Sequence, residues 1–150
     1  MPFKMKNQII LWHFVPLVFG SLIYVFFRDS NLILFKWLEK IYISGPISLL
    51  RSFTYPISIY LPNWFLYSLP DGLWIFSLIS ILLFIWKNTI SKHNLFWFIL
   101  IPTTVILLEI GQFFGFIAGT FDLMDIIFYL LGTVLPFLIF TNLFSFTMDR

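Results

Sequence analysis

The chain has no cysteine, which excludes disulfides, thiolate metal sites and thiol nucleophiles. It is also short of charge: 11% of its residues are charged, against about 25% in ordinary soluble domains. The formal net charge is only +2, and no Lys/Arg run forms a track for phosphates, so nucleic acid is not an expected partner. There is no Gly-rich phosphate loop and no internal repeat.

Apolar side chains dominate instead. Hydrophobic residues make up 60% of the chain and aromatic residues 22%, and mean hydropathy is +0.96. A length of 150 residues fits one domain. A helix needs about 20 apolar residues to cross a bilayer, and four such runs can be placed, at about 8–27, 69–86, 95–116 and 122–144. The expected fold is therefore all-α: a polytopic membrane protein, one domain over 1–150, built as a bundle of four transmembrane helices. Lys4 and Lys6 resemble the basic start of a signal peptide, but the apolar run after them is too long and no A-x-A site follows. The first span is expected to be an uncleaved anchor.

Lys and Arg placement sets the orientation. Lys4 and Lys6 precede the first span, Lys87 and Lys92 fall in the second loop and Arg150 ends the chain, whereas the third loop has neither residue type. Both termini are expected in the cytoplasm. The long first connection is expected to lie in the outer interface or to re-enter it without crossing. Its NLILFKWLEKIYI stretch puts Lys36, Glu39 and Lys40 on one helix side and Leu34, Leu38, Ile41 and Tyr42 toward the other. Pro46, Pro56, Pro62 and Pro70 follow, and no helix is expected to pass unbroken through so many prolines. Tyr60, Trp64 and Tyr67 suit the head-group region.

Within these apolar runs a few polar residues stand out. Glu109, Gln112, Asp122 and Asp125 occur in LLEIGQFFGFIAGTFDLMDIIFYLLGTVLPFLIF. A charge at the bilayer centre costs roughly 2.5–3.5 kcal/mol on insertion scales, so such groups usually face a bundle interior or a wet cavity. The third span should still insert. Leu95 to Ile110 holds eleven Leu, Ile, Phe or Val residues, worth about 3–7 kcal/mol together. In the alternating topology Arg28 and Asp29 end the first span, Asp71 opens the second, Glu109 and Gln112 occupy the outer half of the third, and Asp122 and Asp125 open the fourth. Asp122, Asp125, Tyr129, Gly132 and Pro136 share one helix face by their 3–4 spacing. Gly111, Gly115 and Gly119 form overlapping small-xxx-small patterns, expected to bring helices close. The simplest geometry is an outward-facing pocket lined by Asp71, Glu109, Gln112, Asp122, Asp125 and Tyr129, with Arg28 as the nearby cation.

Several chemistries fit such a pocket. Clustered carboxylates favour sharing a proton, which suits general acid–base work by Glu109, Asp122 or Asp125. Carboxylate, amide and water oxygens can instead hold a divalent cation such as Mg²⁺ or Ca²⁺ against a lipid phosphate. A cationic or amine ligand is a third option. The plainest reading is that these groups only hydrogen-bond between helices, for about 0.6 kcal/mol each. His13 and His93 have no spacing that points to a metal site. Ser77 and Ser80 are expected to have no nearby His or Lys, which argues against a serine hydrolase.

Glu109-x-x-Gln112, then Phe121-Asp122-x-x-Asp125, then Gly132, resembles the C-terminal signature of VanZ-like membrane proteins, a family named for a protein associated with teicoplanin resistance. Its pattern, roughly E-x-x-Q … F-D-x-x-D-x-x-x-N-x-x-G, holds Tyr129 here in place of the usual Asn. Upstream, Leu69-Pro70-Asp71-Gly72-Leu73-Trp74 keeps an Asp without the His that often follows it. The likeness covers mainly 105–140, with a looser echo at 62–86. It implies a multi-pass protein of the bacterial inner membrane, linked to the cell envelope and surrounded by membrane lipids, and supplies no reaction. Two functions are then open: binding or processing of an envelope lipid or its head group, or a non-catalytic small subunit whose polar helix face docks a larger envelope protein.

Overall fold

The computed structural model describes residues 9–28, 32–40, 44–140 and 145–146. Their order is helix α1 (Ile10–Phe27), α2 (Ile33–Lys40), α3 (Ser44–Ser58), α4 (Asn63–Leu66) and α5 (Ser68–Ile85), strand β1 (Thr89–Ile90), then α6 (Lys92–Phe113), α7 (Leu123–Ile139) and strand β2 (Ser145–Phe146). The first turn of α1, Ile10–Phe14, is π-helical. The chain is mostly helical, and α1, α5 and α6 are each long and apolar enough to cross a membrane. Helix α7 is apolar too but has 17 residues. The two strands, unforeseen in an all-α reading, form a two-residue parallel ladder that pairs Thr89 with Ser145 and Ile90 with Phe146.

Helix ends follow local chemistry more closely than hydropathy. Helix α6 starts three residues before its expected position because Ser91 and Asn94 form a capping box, with the Ser91 N–H donating to Asn94 Oδ1 at 2.8 Å. It stops at Phe113 because Gly115 turns left-handed, at φ 72°. The Gly115 N–H then donates to the Gln112 carbonyl at 3.0 Å and the Phe116 N–H to the Gly111 carbonyl at 2.8 Å. That pair of bonds is a Schellman cap. The expectation that Gly111, Gly115 and Gly119 form a helix-packing stripe is thus corrected, because the last two lie beyond the helix. Helix α7 ends at Ile139 rather than 144; residues 141–144, both termini and Asp29 lie outside the described residues.

The prolines sit near helix ends and divide the first connection into separate helices. Pro46 is in the first turn of α3, where its missing N–H has no partner to lose, and Pro56 is in the last turn. Pro62 caps α4 and Pro70 lies in the first turn of α5. A 15-residue helix, Ser44–Ser58, accommodates Pro46 and Pro56 near its ends, but the helical path breaks after Ser58 and again after Leu66, so no helix passes through all four prolines. Helix α2 forms within the stretch expected to be amphipathic, with Lys36, Trp37, Glu39 and Lys40 exposed and Phe35 buried. The side chains of Leu34 and Leu38, and residues Ile41 and Tyr42, lie outside the described set.

Helix α5 is central. Half of its residues are buried, far more than in α1 or α6. Its Ile75, Ile79 and Leu83 join Ile90, Phe98, Tyr129 and Phe140 in the core. The most extensive packing is between α5 and α7, while α6 and α7, joined by the short loop, touch less. The closest point of the α5–α7 seam is a pair of glycines: a Cβ on Gly132 would collide with the Gly72 carbonyl, and one on Gly72 would lie 2.9 Å from Phe128.

Helix α3 is strapped across the end of α1. The Arg51 guanidinium donates to the Val25 carbonyl at 2.6 Å and also to the Arg28 carbonyl, and Thr54 Oγ1 donates to the Phe26 carbonyl at 3.2 Å. These bonds satisfy carbonyls that a helix C-terminus leaves without intrahelical partners. They also place a cation where the helix dipole favours one.

Candidate functional site

The last residue described after α1, the start of α5, the end of α6 and the start of α7 meet at one end of the molecule. They surround a cavity of about 470 Å³, within the range of small-molecule sites. Every residue expected from sequence lines it: Arg28, Asp71, Glu109, Gln112, Asp122, Asp125 and Tyr129. Asn63 and Tyr67 from the α4 region and Gly119 and Thr120 from the α6–α7 loop complete the wall. Those four were not foreseen, since a polar or aromatic residue in a connecting segment gives no signal of where that segment folds back.

Three of the four carboxylates have local helical reasons for their positions. Asp71 is in the first turn of α5 and Asp125 in the first turn of α7, where the dipole favours negative charge. Asp122 is the N-cap of α7, its Oδ1 accepting from the Met124 N–H at 2.8 Å. Glu109 has no such reason. It lies near the C-terminal end of α6, where the dipole opposes an anion, and is only 4% exposed. Its partners come from elsewhere: the Asp122 backbone N–H points at Glu109 Oε2 from 3.5 Å, and the Tyr129 hydroxyl faces the same carboxylate.

The α6–α7 loop folds back over the end of α6 to close this wall. Ile117 packs on Gly111, and the Phe113 and Phe121 rings meet at 5.2 Å. Gly119, at φ 144°, lies so close to Gln112 that a Cβ there would stand 2.7 Å from the amide. Across the cavity the Arg28 guanidinium sits over the Tyr67 ring at 4.7 Å and near Tyr24 at 5.7 Å. Arg28, Asp125 and Glu109 all lie near enough to Asp71 to act on it through space. One oxygen of Asp125, Oδ1, is buried with no hydrogen-bond partner among the described residues. Among the described residues no group of three or more His, Asp or Glu side chains is arranged to hold a metal ion. A divalent cation would therefore need ligand or water oxygens for most of its coordination.

One local expectation is corrected. Ser77 has a histidine beside it after all, His13, 64 residues away in sequence: Ser77 Oγ lies 2.7 Å from His13 Nδ1 and 3.0 Å from the His13 carbonyl. Ser77 is 1% exposed and lines none of the cavity, so the pair clamps α1 to α5 and does not form a nucleophile site.

Fold and site together define a class, a helical protein with three helices able to cross a membrane and an acid-lined cavity at one end. Comparison with protein-family models, curated proteins and solved structures finds no match to this chain.

Proposed function

We propose that this chain is a VanZ-like, four-span protein of a bacterial inner membrane, whose cavity faces outward and binds or processes an envelope lipid through its polar head group. Glu109 carries this reading. An acid buried at the disfavoured end of a membrane-length helix is costly, and a ligand site explains it where local structure does not. Gathering of the polar side chains inside a cavity, rather than along a lipid-facing stripe, supports a ligand site over a docking subunit.

Helix α7, about 25 Å long, spans as the fourth helix with modest local thinning of a roughly 30 Å core. Helix α3, about 22 Å long with Arg51 at its middle, lies in the outer interface above the end of α1. Lys87 and Lys92 keep the opposite end cytoplasmic. Any proton transfer falls to Glu109 and Asp125, since Asp122 is engaged as a helix cap. The VanZ-like signature connects the site with glycopeptide resistance of the teicoplanin type.

The test is to express Glu109→Gln and Asp122→Asn variants and score folding, co-purifying lipid and teicoplanin sensitivity together. Glu109→Gln should fold, lose the lipid and change the sensitivity. A folded Glu109→Gln protein that keeps both would overturn the proposal.

A further inference from the structure

Resting on that head-group reading, we infer that the ligand is an aminophospholipid, whose head group joins an ammonium to a phosphate. The cavity wall carries four carboxylates against one guanidinium, an excess of three negative charges when all are ionised (4 − 1). An anionic head group would add repulsion to that excess. A simple amine would make no use of the Arg28 guanidinium that lies on the Tyr67 ring at the cavity wall.

Arg28 is placed for the phosphate. Its planar fork matches phosphate oxygens, and the Tyr67 face beneath it fixes the guanidinium plane. The ammonium belongs on the carboxylate side. It offers three donors, and Asp125 Oδ1 is a buried acceptor without one among the described residues. Asp71 is within electrostatic reach of Arg28, Asp125 and Glu109.

The surroundings point to a lipid rather than a free solute. The loop that closes the cavity has no charged residue between Glu109 and Asp122, and it exposes Phe113, Phe114 and Phe116, the last at 84%. Such a loop sits in the acyl and head-group boundary, so the cavity rim is at the depth of lipid head groups.

The experiment uses the full-length protein in detergent, offered phosphatidylethanolamine, phosphatidylglycerol or soluble glycerophosphoethanolamine, with retained ligand counted by native mass spectrometry. Phosphatidylethanolamine should be retained about tenfold better than phosphatidylglycerol, one charge-assisted contact's worth of preference. The soluble head group should compete poorly. Asp125→Asn should remove the preference, and Arg28→Gln should weaken retention of both lipids. Gln112→Leu, which adds no charge change, serves if Asp125→Asn does not fold, and should weaken retention while keeping the preference. Equal or better retention of phosphatidylglycerol overturns the aminophospholipid assignment and leaves the head-group pocket standing. Glycerophosphoethanolamine bound as well as the lipid overturns the lipid source. Retention of neither lipid overturns both this inference and the head-group reading.

Discussion

Gly132 of α7 lies against the backbone carbonyl of Gly72 of α5, with no room between them for a single carbon. This contact sits one helical turn from Tyr129 and one residue from Asp71, so it sets the spacing of the helix starts that hold Asp71, Asp122 and Asp125. Gly132→Ala should cost at least the 1–3 kcal/mol typical of overpacking, because the obstacle is backbone and cannot rotate away. Gly132→Leu should prevent folding. Thermal unfolding in detergent reads both, and a Gly132→Ala protein as stable as wild type would show that the helices are further apart.

Arg51 should hold α3 in place. Two of its nitrogens cap carbonyls at the end of α1, and Lys has no planar fork to do the same. Arg51→Lys and Arg51→Ala should both raise hydrogen exchange over Ser44–Ser58 and leave Ser68–Ile85 protected. Unchanged exchange in Arg51→Ala would dismiss the strap.

The His13–Ser77 pair should matter for stability alone. Ser77→Ala removes the buried partner of a part-buried hydrogen bond, a loss of about 1 kcal/mol. Lipid retention in the cavity should be unchanged at temperatures where the variant stays folded. Lost retention in folded Ser77→Ala protein would give the pair a functional role.

Much of this was legible in sequence for a physical reason. Charge inside apolar runs is expensive, so Glu109, Asp122 and Asp125 were conspicuous, and alternation of helix direction brings Arg28 and Asp71 to the same end. Gly115 was misread because a small residue four positions on serves helix packing and a left-handed cap equally well. The prolines of 46–70 marked a broken helical path, but not where it breaks, because only position within a helix separates a tolerated proline such as Pro46 or Pro56 from a breaker. Arg51 capping α1 and Ser77 meeting His13 depend on pairing across 23–64 residues, which no local pattern encodes.

Orientation can be tested directly because the chain has no cysteine and any introduced thiol is unique. In intact cells an impermeant thiol reagent should label Thr120→Cys and spare Lys92→Cys until the membrane is opened. The reverse pattern would invert the topology.

The most direct test of the pocket is the water accessibility of Gln112 from the outer face. A Gln112→Cys protein in intact cells should react with an impermeant hydrophilic thiol reagent, while Leu108→Cys, on the exposed apolar side of the same helix, should not. Reaction at 112 with protection at 108 is the expected result. A Gln112→Cys thiol that is unreactive, or that reacts only from the cytoplasmic side, would contradict an outward-facing cavity at the Glu109 end of the molecule.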